Sequence, residues 1–258
     1  AIAEGNALDY YNAACSYALS GDSIHSIDYL ILSAKKGWSN LKHLKTDTDL
    51  KSLHAVKSWE KVTELVQANL DIIEKDFDKP LKKQLEAIYV KDQTLRQLLR
   101  DAEDKFGRES DEMQYFWRLI SEQDSLNEME VIQILETKGW PGISLVGGQA
   151  NAAIWLVIQH APVGVQEKYL PLLRESVLKG ESQGSHLALL EDRVLMYNGK
   201  PQIYGSQISV DPETGKQRIY EIAEPEYVNQ RRKTVGLGPL EEYVKRFGLE
   251  WTTPQMEK

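Results

Sequence analysis

"QANAAIWLVIQHA", residues 149–161, is the stretch on which the fold turns. At about 100° per residue, Gln149, Ala153, Leu156 and His160 share one helical face, with Trp155 and Gln159 to one side of it. So apolar a run predicts a buried helix. It finishes on an amide and an imidazole before Ala161-Pro162, which predicts that its last turn enters a polar pocket. Upstream, "KGWPGISLVGG" (138–148) is too rich in glycine and proline for a helix and predicts a loop. Downstream, "QEKYLPLLRESVLKG" predicts a helix from about Gln166 to Gly180, with Pro171 kinking it or delaying its start. A third helix, Ser185 to Tyr197, sets His186, Leu190, Arg193 and Tyr197 on one stripe.

Working outward, apolar spacing predicts one long helix over Leu81 to Phe106, stopped by Gly107, and another over Ser110 to Lys138. In the second, "SEQDSLNE" reads as a break with Asp124 or Ser125 as a new N-cap. After Asn198-Gly199 the period falls to two, predicting a hairpin with strands at about 201–209 and 216–223. Its turn is "DPETGK", with Pro212 presetting the backbone and Gly215 left-handed. Gly205 marks a bulge or a close backbone approach. Two short helices, near Glu226 to Val235 and Leu240 to Phe247, close the chain.

The start of the chain is different in kind. "ALDYYNAACSYALSGDSIHSIDYLILSAKKGW" (7–38) predicts two antiparallel helices about Gly21, with small Ala14, Ala18 and Ala34 allowing the close contact of a tetratricopeptide-like unit. A half-repeat follows, a short helix near Leu50 to Leu53 and a longer one carrying Trp59, Val62, Leu65 and Val66. The charged "EKDFDKP" (74–80) marks the junction. The expected fold is mainly α: tetratricopeptide-like hairpins over 1–76, then an α-rich domain over 77–258 carrying one small β-hairpin near 201–223.

Among 258 residues, 41% are hydrophobic and 27% charged, the balance of a globular chain. A net charge of −8 argues against a nucleic-acid partner, and no stretch is long and apolar enough to span a bilayer. The basic run Arg231-Arg232-Lys233 reads as the cationic last turn of a helix. The single cysteine, Cys15, sits in a helical pattern as a small buried hydrophobe and leaves the redox compartment open. The first residues, Ala-Ile-Ala-Glu, suggest a removed leader and so a periplasmic or secreted protein, with a cytoplasmic one as the alternative.

Five blocks, "GWPGISLVG", "QANAAIWLVIQHA", "YLPLL", "HLALLEDRVLMYNGKPQIYGSQ" and "NQRRKTVGLGPLEEY", together resemble a bacterial domain family of unknown function, sometimes attached to tetratricopeptide-like units. The resemblance runs from about Lys91 to Phe247. Ser206 stands where the family usually has threonine, which keeps the hydroxyl. It implies an α-rich domain with a small hairpin and carries no reaction with it.

The chemistry therefore rests on the residues. Asp92, Gln93, Arg96, Gln159, His160, His186, Asp192, Arg193, Gln202, Tyr204 and Gln207 are polar groups on otherwise apolar faces. Acid/base work suits them best: His160 or His186 as general base, Asp92 orienting it, and Arg96 or Arg193 holding an anionic group. Gln159, Gln202, Tyr204 and Gln207 complete the expected ligand pocket. No His-Glu-x-x-His, Gly-x-Ser-x-Gly or phosphate-loop motif is present, so neither a metal nor a cofactor is expected. The competing expectation is a module that captures a protein or peptide through the N-terminal hairpins, with Tyr10, Tyr11, Tyr17 and Trp38 as contact candidates and the polar cluster as a structural staple.

Overall fold

The computed structural model describes residues 5–211 and 213–254. The chain divides into two compact units, Ala1–Asp76 and Phe77–Lys258. The protein is mainly α with one small antiparallel hairpin.

In the first unit α1 (Ala7–Leu19) and α2 (Ser23–Lys35) form a close pair, and α3 (Leu41–Thr46), a 3-10 segment (Thr48–Ala55) and α4 (Trp59–Ile73) pack beside it. Asn6 and Asp9 make a reciprocal capping box at the start of α1, and Asp22 caps α2. Alanines at the contact let the helices approach, and Tyr11, Leu30, Leu44, Leu50, Leu53, Val62 and Val66 fill the interior. Tyr10 and Tyr11 are thus core residues. Tyr11 donates to Asp47 and stacks on Trp38. Cys15 is buried against the same Asp47, and burial followed by that charge pushes its thiol up to about 12, which keeps it protonated.

In the second unit α5 (Lys79–Phe106) and α6 (Asp111–Lys138) run back to back, followed by α7 (Ile143–Val146), α8 (Gly148–His160), α9 (Val163–Leu178) and α10 (Gly184–Tyr197). Leu85, Ile88, Val131, Ile154, Ile158, Leu173 and Leu190 join them in one core around α8. The apolar 149–161 stretch is therefore the central helix. The hairpin β1 (Ile208–Val210) and β2 (Gln217–Ile219) is followed by a 3-10 turn (Pro225–Tyr227), α11 (Val228–Thr234), α12 (Leu240–Val244) and a last 3-10 turn (Lys245–Phe247). Val228, Leu240 and Val244 make a smaller core beneath the hairpin.

Four expectations change. The loop 138–148 contains a helical turn, α7. Helix α6 does not break at "SEQDSLNE", because its polar groups find partners without leaving the helix: Ser125 donates to the Ser121 carbonyl and Gln123 to Asn127. Helix α9 starts at Val163 and runs through Pro171, which lies on the exposed side where water can serve the carbonyl that loses its partner. Both strands are shorter than 201–209 and 216–223, since residues 202–207 bend around a carboxylate instead of pairing regularly and leave residues 220–223 without a regular partner strand; one isolated bridge joins Gln202 to Ile222. Gly215 is left-handed at the turn, and Pro212 lies outside the described residues. Gly205 is both left-handed and crowded, since a Cβ there would meet Leu240 Cδ2 at 2.9 Å.

Candidate functional site

The end of α8 shows where its polar residues go. Its last carbonyls are capped from outside: Gln166 donates to Gln159 O and Ala161 O, and Arg193 Nη1 donates to Gln159 O at 2.9 Å. Turned to satisfy both groups, the Gln159 amide oxygen also accepts from Arg193 Nε (3.0 Å) and Nη2 (3.2 Å). Gln159 and Arg193 thus lock α8 to α10.

His160 takes the opposite side. Its Nδ1 lies 3.1 Å from Asp92 Oδ1 on α5, and that carboxylate is almost fully buried, 1% exposed. Gln93 donates to Asp92 Oδ2, and Arg96 reaches both Asp92 Oδ1 and the Asp92 carbonyl. Burial alone would push the Asp92 carboxyl up, but the bond and charge of His160, then Gln93 and Arg96, outweigh it and hold it below the usual range. Asp92 is therefore an anion at neutral pH. Arg96 Nη2 forks onto both oxygens of Asp124 on α6, at 2.8 and 2.7 Å.

Asp92, Asp124, Glu128, Val157, His160 and Ala161 enclose a recess of about 10 Å³, room for about one water. Asp124, Glu128, His160 and Ala161 also line an open cleft of about 470 Å³, with Ser121, Ser125 and Tyr197 on its walls. Among the described residues, His160 Nε2 has no hydrogen-bond partner. The recess and the cleft thus share one imidazole, whose Nδ1 is held by a carboxylate.

Asp92, Asp124 and His160 each place one ligand atom within 4.8 Å of the others, a donor set whose types suit a divalent cation. Arg96, however, already bridges the two carboxylates and supplies the positive charge. Arg96 thus spends Nη1 and Nη2 on Asp92 and Asp124, and Arg193 spends its Nε, Nη1 and Nη2 on Gln159.

The other nominated residues gather elsewhere. His186 lies flat on Trp155, ring centroids 4.0 Å apart and planes 1° from parallel, in a separate pocket. Burial pushes its pKa down to about 4. Asp192, fully buried, accepts from the backbone amides of Ile203, Tyr204 and Ser206 at 2.7, 3.0 and 2.9 Å. Gln202, also fully buried, spends its amide on both backbone groups of Gln207 and on Tyr220 O, while Gln207 bonds Leu189 O and Ser206. Gln202, Tyr204 and Gln207 therefore shape the loop and do not face His160.

Sequence reasoning missed Asp124 and Glu128, taken with a supposed helix break, and Arg232, taken as part of a cationic helix end. Reading 81–106 and 110–138 as one antiparallel hairpin about Gly107 would have brought Arg96 level with Asp124. Arg231 and Arg232 do close α11, but they turn inward: Arg231 donates to the carbonyls of Ile203 and Ala223, and Arg232 to those of Tyr204 and Gly238.

Among the described residues no helix is long and apolar enough to cross a membrane. No curated protein and no solved structure is similar enough to match the chain. Residues 79–251, which span α5 through the segment after α12 and so contain the whole Asp92, Asp124 and His160 constellation, match the model of a family of unknown function, DUF6624, and the chain belongs to that family.

Proposed function

We propose that the second unit binds a small polar molecule in the His160 cleft and acts on it by acid/base catalysis, most simply by hydrolysis. The observation that carries this reading is the imidazole pinned through Nδ1 by buried Asp92, on a wall shared by a water-sized recess and the open cleft. In the neutral ring Nε2 takes a proton from a water as the water oxygen attacks the substrate. Asp92 carries the charge of the imidazolium so formed, and the same proton passes to the leaving group. Asp124 and Glu128 on the walls favour a neutral or cationic ligand over an anionic one.

The test is a thermal-shift screen of neutral and cationic esters, amides and amines, followed by product detection for each hit. His160→Gln is expected to fold, to keep the melting temperature near that of the native protein, and to lower turnover by roughly 10²- to 10⁴-fold. A hit turned over at the native rate by His160→Gln removes the catalytic reading, and a ligand that binds without turnover reduces it to a binding site.

For the first unit we propose the tetratricopeptide-like role of capturing a protein or peptide. Tyr17 stacks on both Tyr29 and His25, at 5.2 and 5.3 Å between centroids, and this row of rings is only partly buried. Aromatic groups left at a surface are common anchors for partners.

A further inference from the structure

Among the described residues Arg232 is the largest fully buried side chain, 2% exposed, and none of their carboxylates forms an ion pair with it, Asp192 and Glu241 acting on it only from farther off. Its Nε and Nη1 are spent on the carbonyls of Gly238 and Tyr204, and its guanidinium lies 5.0 Å from the Tyr243 ring centroid. Nη2 takes no partner among the described residues and is not sealed off by protein. Buried charges are ordinarily paired, because leaving one without a counter-ion forfeits hydration with little in return.

What lies in front of it is a cavity of about 370 Å³. Arg246 stands exposed at its rim, and Glu242 is the one acidic residue in its wall, so arginine charge outweighs acid there in a chain that is otherwise acidic. Much of the remaining wall is flat or apolar, Trp155 with His186 stacked on it, Leu189, Leu237 and Pro239, and Ser185, Ser206 and Tyr243 add hydroxyl groups. Burial keeps His186 neutral, so it adds surface and no charge. A planar guanidinium beside a broad apolar wall matches a carboxylate carried on a hydrophobic body, whose apolar part a bare phosphate lacks.

We propose that this pocket, separate from the His160 cleft, binds a small monocarboxylate, its charge against Arg232 and Arg246 and its apolar body along Trp155 and the leucines. The Tyr204 carbonyl, which holds Arg232 Nη1, then helps to orient the anion-binding guanidinium. The site lies where the α11 terminus meets the loop after α10.

The experiment titrates the full 258-residue chain with benzoate, its neutral isostere benzamide, and inorganic phosphate, following the Trp155 indole N–H signal, assigned with Trp155→Phe. Benzoate is expected to shift that signal saturably, with benzamide at least about ten-fold weaker because the charge-assisted bonds are lost. Arg246→Gln, at an exposed position, is expected to leave the melting temperature unchanged and to weaken benzoate several-fold. Arg232→Gln is expected to abolish binding if circular dichroism shows it folded; if it does not fold, the Arg246 and benzamide comparisons decide. His160→Gln is expected to bind benzoate like the native chain, so failure of the cleft chemistry and failure of this pocket are read separately. Equal affinity for benzoate and benzamide, a preference for phosphate, no shift at Trp155, or an Arg246→Gln variant of native affinity would each overturn the assignment.

Discussion

His160 and His186 differ in what meets their ring nitrogens. A buried carboxylate meets the first, whereas the face of an indole covers the second, and an indole offers no acceptor to an added proton. The His186 pKa accordingly falls from 6.5 to about 4 through burial. The unfolded chain therefore binds more protons than the folded one between these values, and stability is full above about pH 6.5 and lost as pH falls toward 4. His186→Phe keeps a ring against Trp155 and removes the titration. It is expected to flatten the loss of unfolding free energy between pH 7 and 4.5 by roughly 1–3 kcal/mol, measured by urea titration at the two pH values. Parallel pH slopes in variant and native protein would contradict this. Asp92, held below the usual carboxylate range, adds its own loss only as pH falls through still lower values. Both histidines and Asp92 stand out in the sequence as polar groups on apolar faces. Their separation into two sites does not, because helical phase says which side of a helix a group occupies and nothing about which helix lies opposite.

The long helices were legible either because an apolar face stays in phase over their length, as in α5, or because the run is apolar nearly throughout, as in α8. The arm 201–209 misleads because alternation of polar and apolar residues also suits a loop held at intervals from one side. Here the holder is Asp192, on α10, whose carboxylate collects three backbone amides at residues 203, 204 and 206. Gln202 supplies from its side chain the bonds that a neighbouring strand would have made to Gln207. Burial pushes the Asp192 carboxyl up, against the bonds from Ser206, Tyr204 and Ile203 that lower it. Asp192→Ala leaves those amides buried without acceptors and is expected to cost roughly 2–5 kcal/mol, with faster hydrogen exchange at the three amides. Asp192→Asn, keeping one oxygen acceptor, is expected to cost less. An alanine variant of native stability would mean that the loop holds its shape without the carboxylate. The same holds for α6, where the Asp124 carboxylate, a cap by local sequence, is taken up by Arg96, 28 residues away on α5.

At the scale of the whole chain, the two units have separate interiors. Residues 1–76 close around Tyr11, Leu30, Leu44, Leu50, Leu53, Val62 and Val66, and the second unit closes around α8. A chain as short as the first unit buries a smaller share of its surface than a longer one, so its core supports only about 3–5 kcal/mol, while the longer second unit has the advantage of size. Expressed alone, residues 77–258 are expected to melt cooperatively and to retain whatever ligand binding the full chain shows at the His160 cleft. Residues 1–76 are expected to fold with dispersed amide resonances but to melt at a lower temperature. Calorimetry of both fragments and of the full chain checks this, since independent units give a full-chain trace close to the sum of the two. An insoluble or noncooperative 77–258 fragment would sink the expectation. A fragment 1–76 without fixed structure would mean that its buried aromatic and leucine set is too small to offset the entropy of ordering four helices, and that the first unit draws stability from beyond its own core.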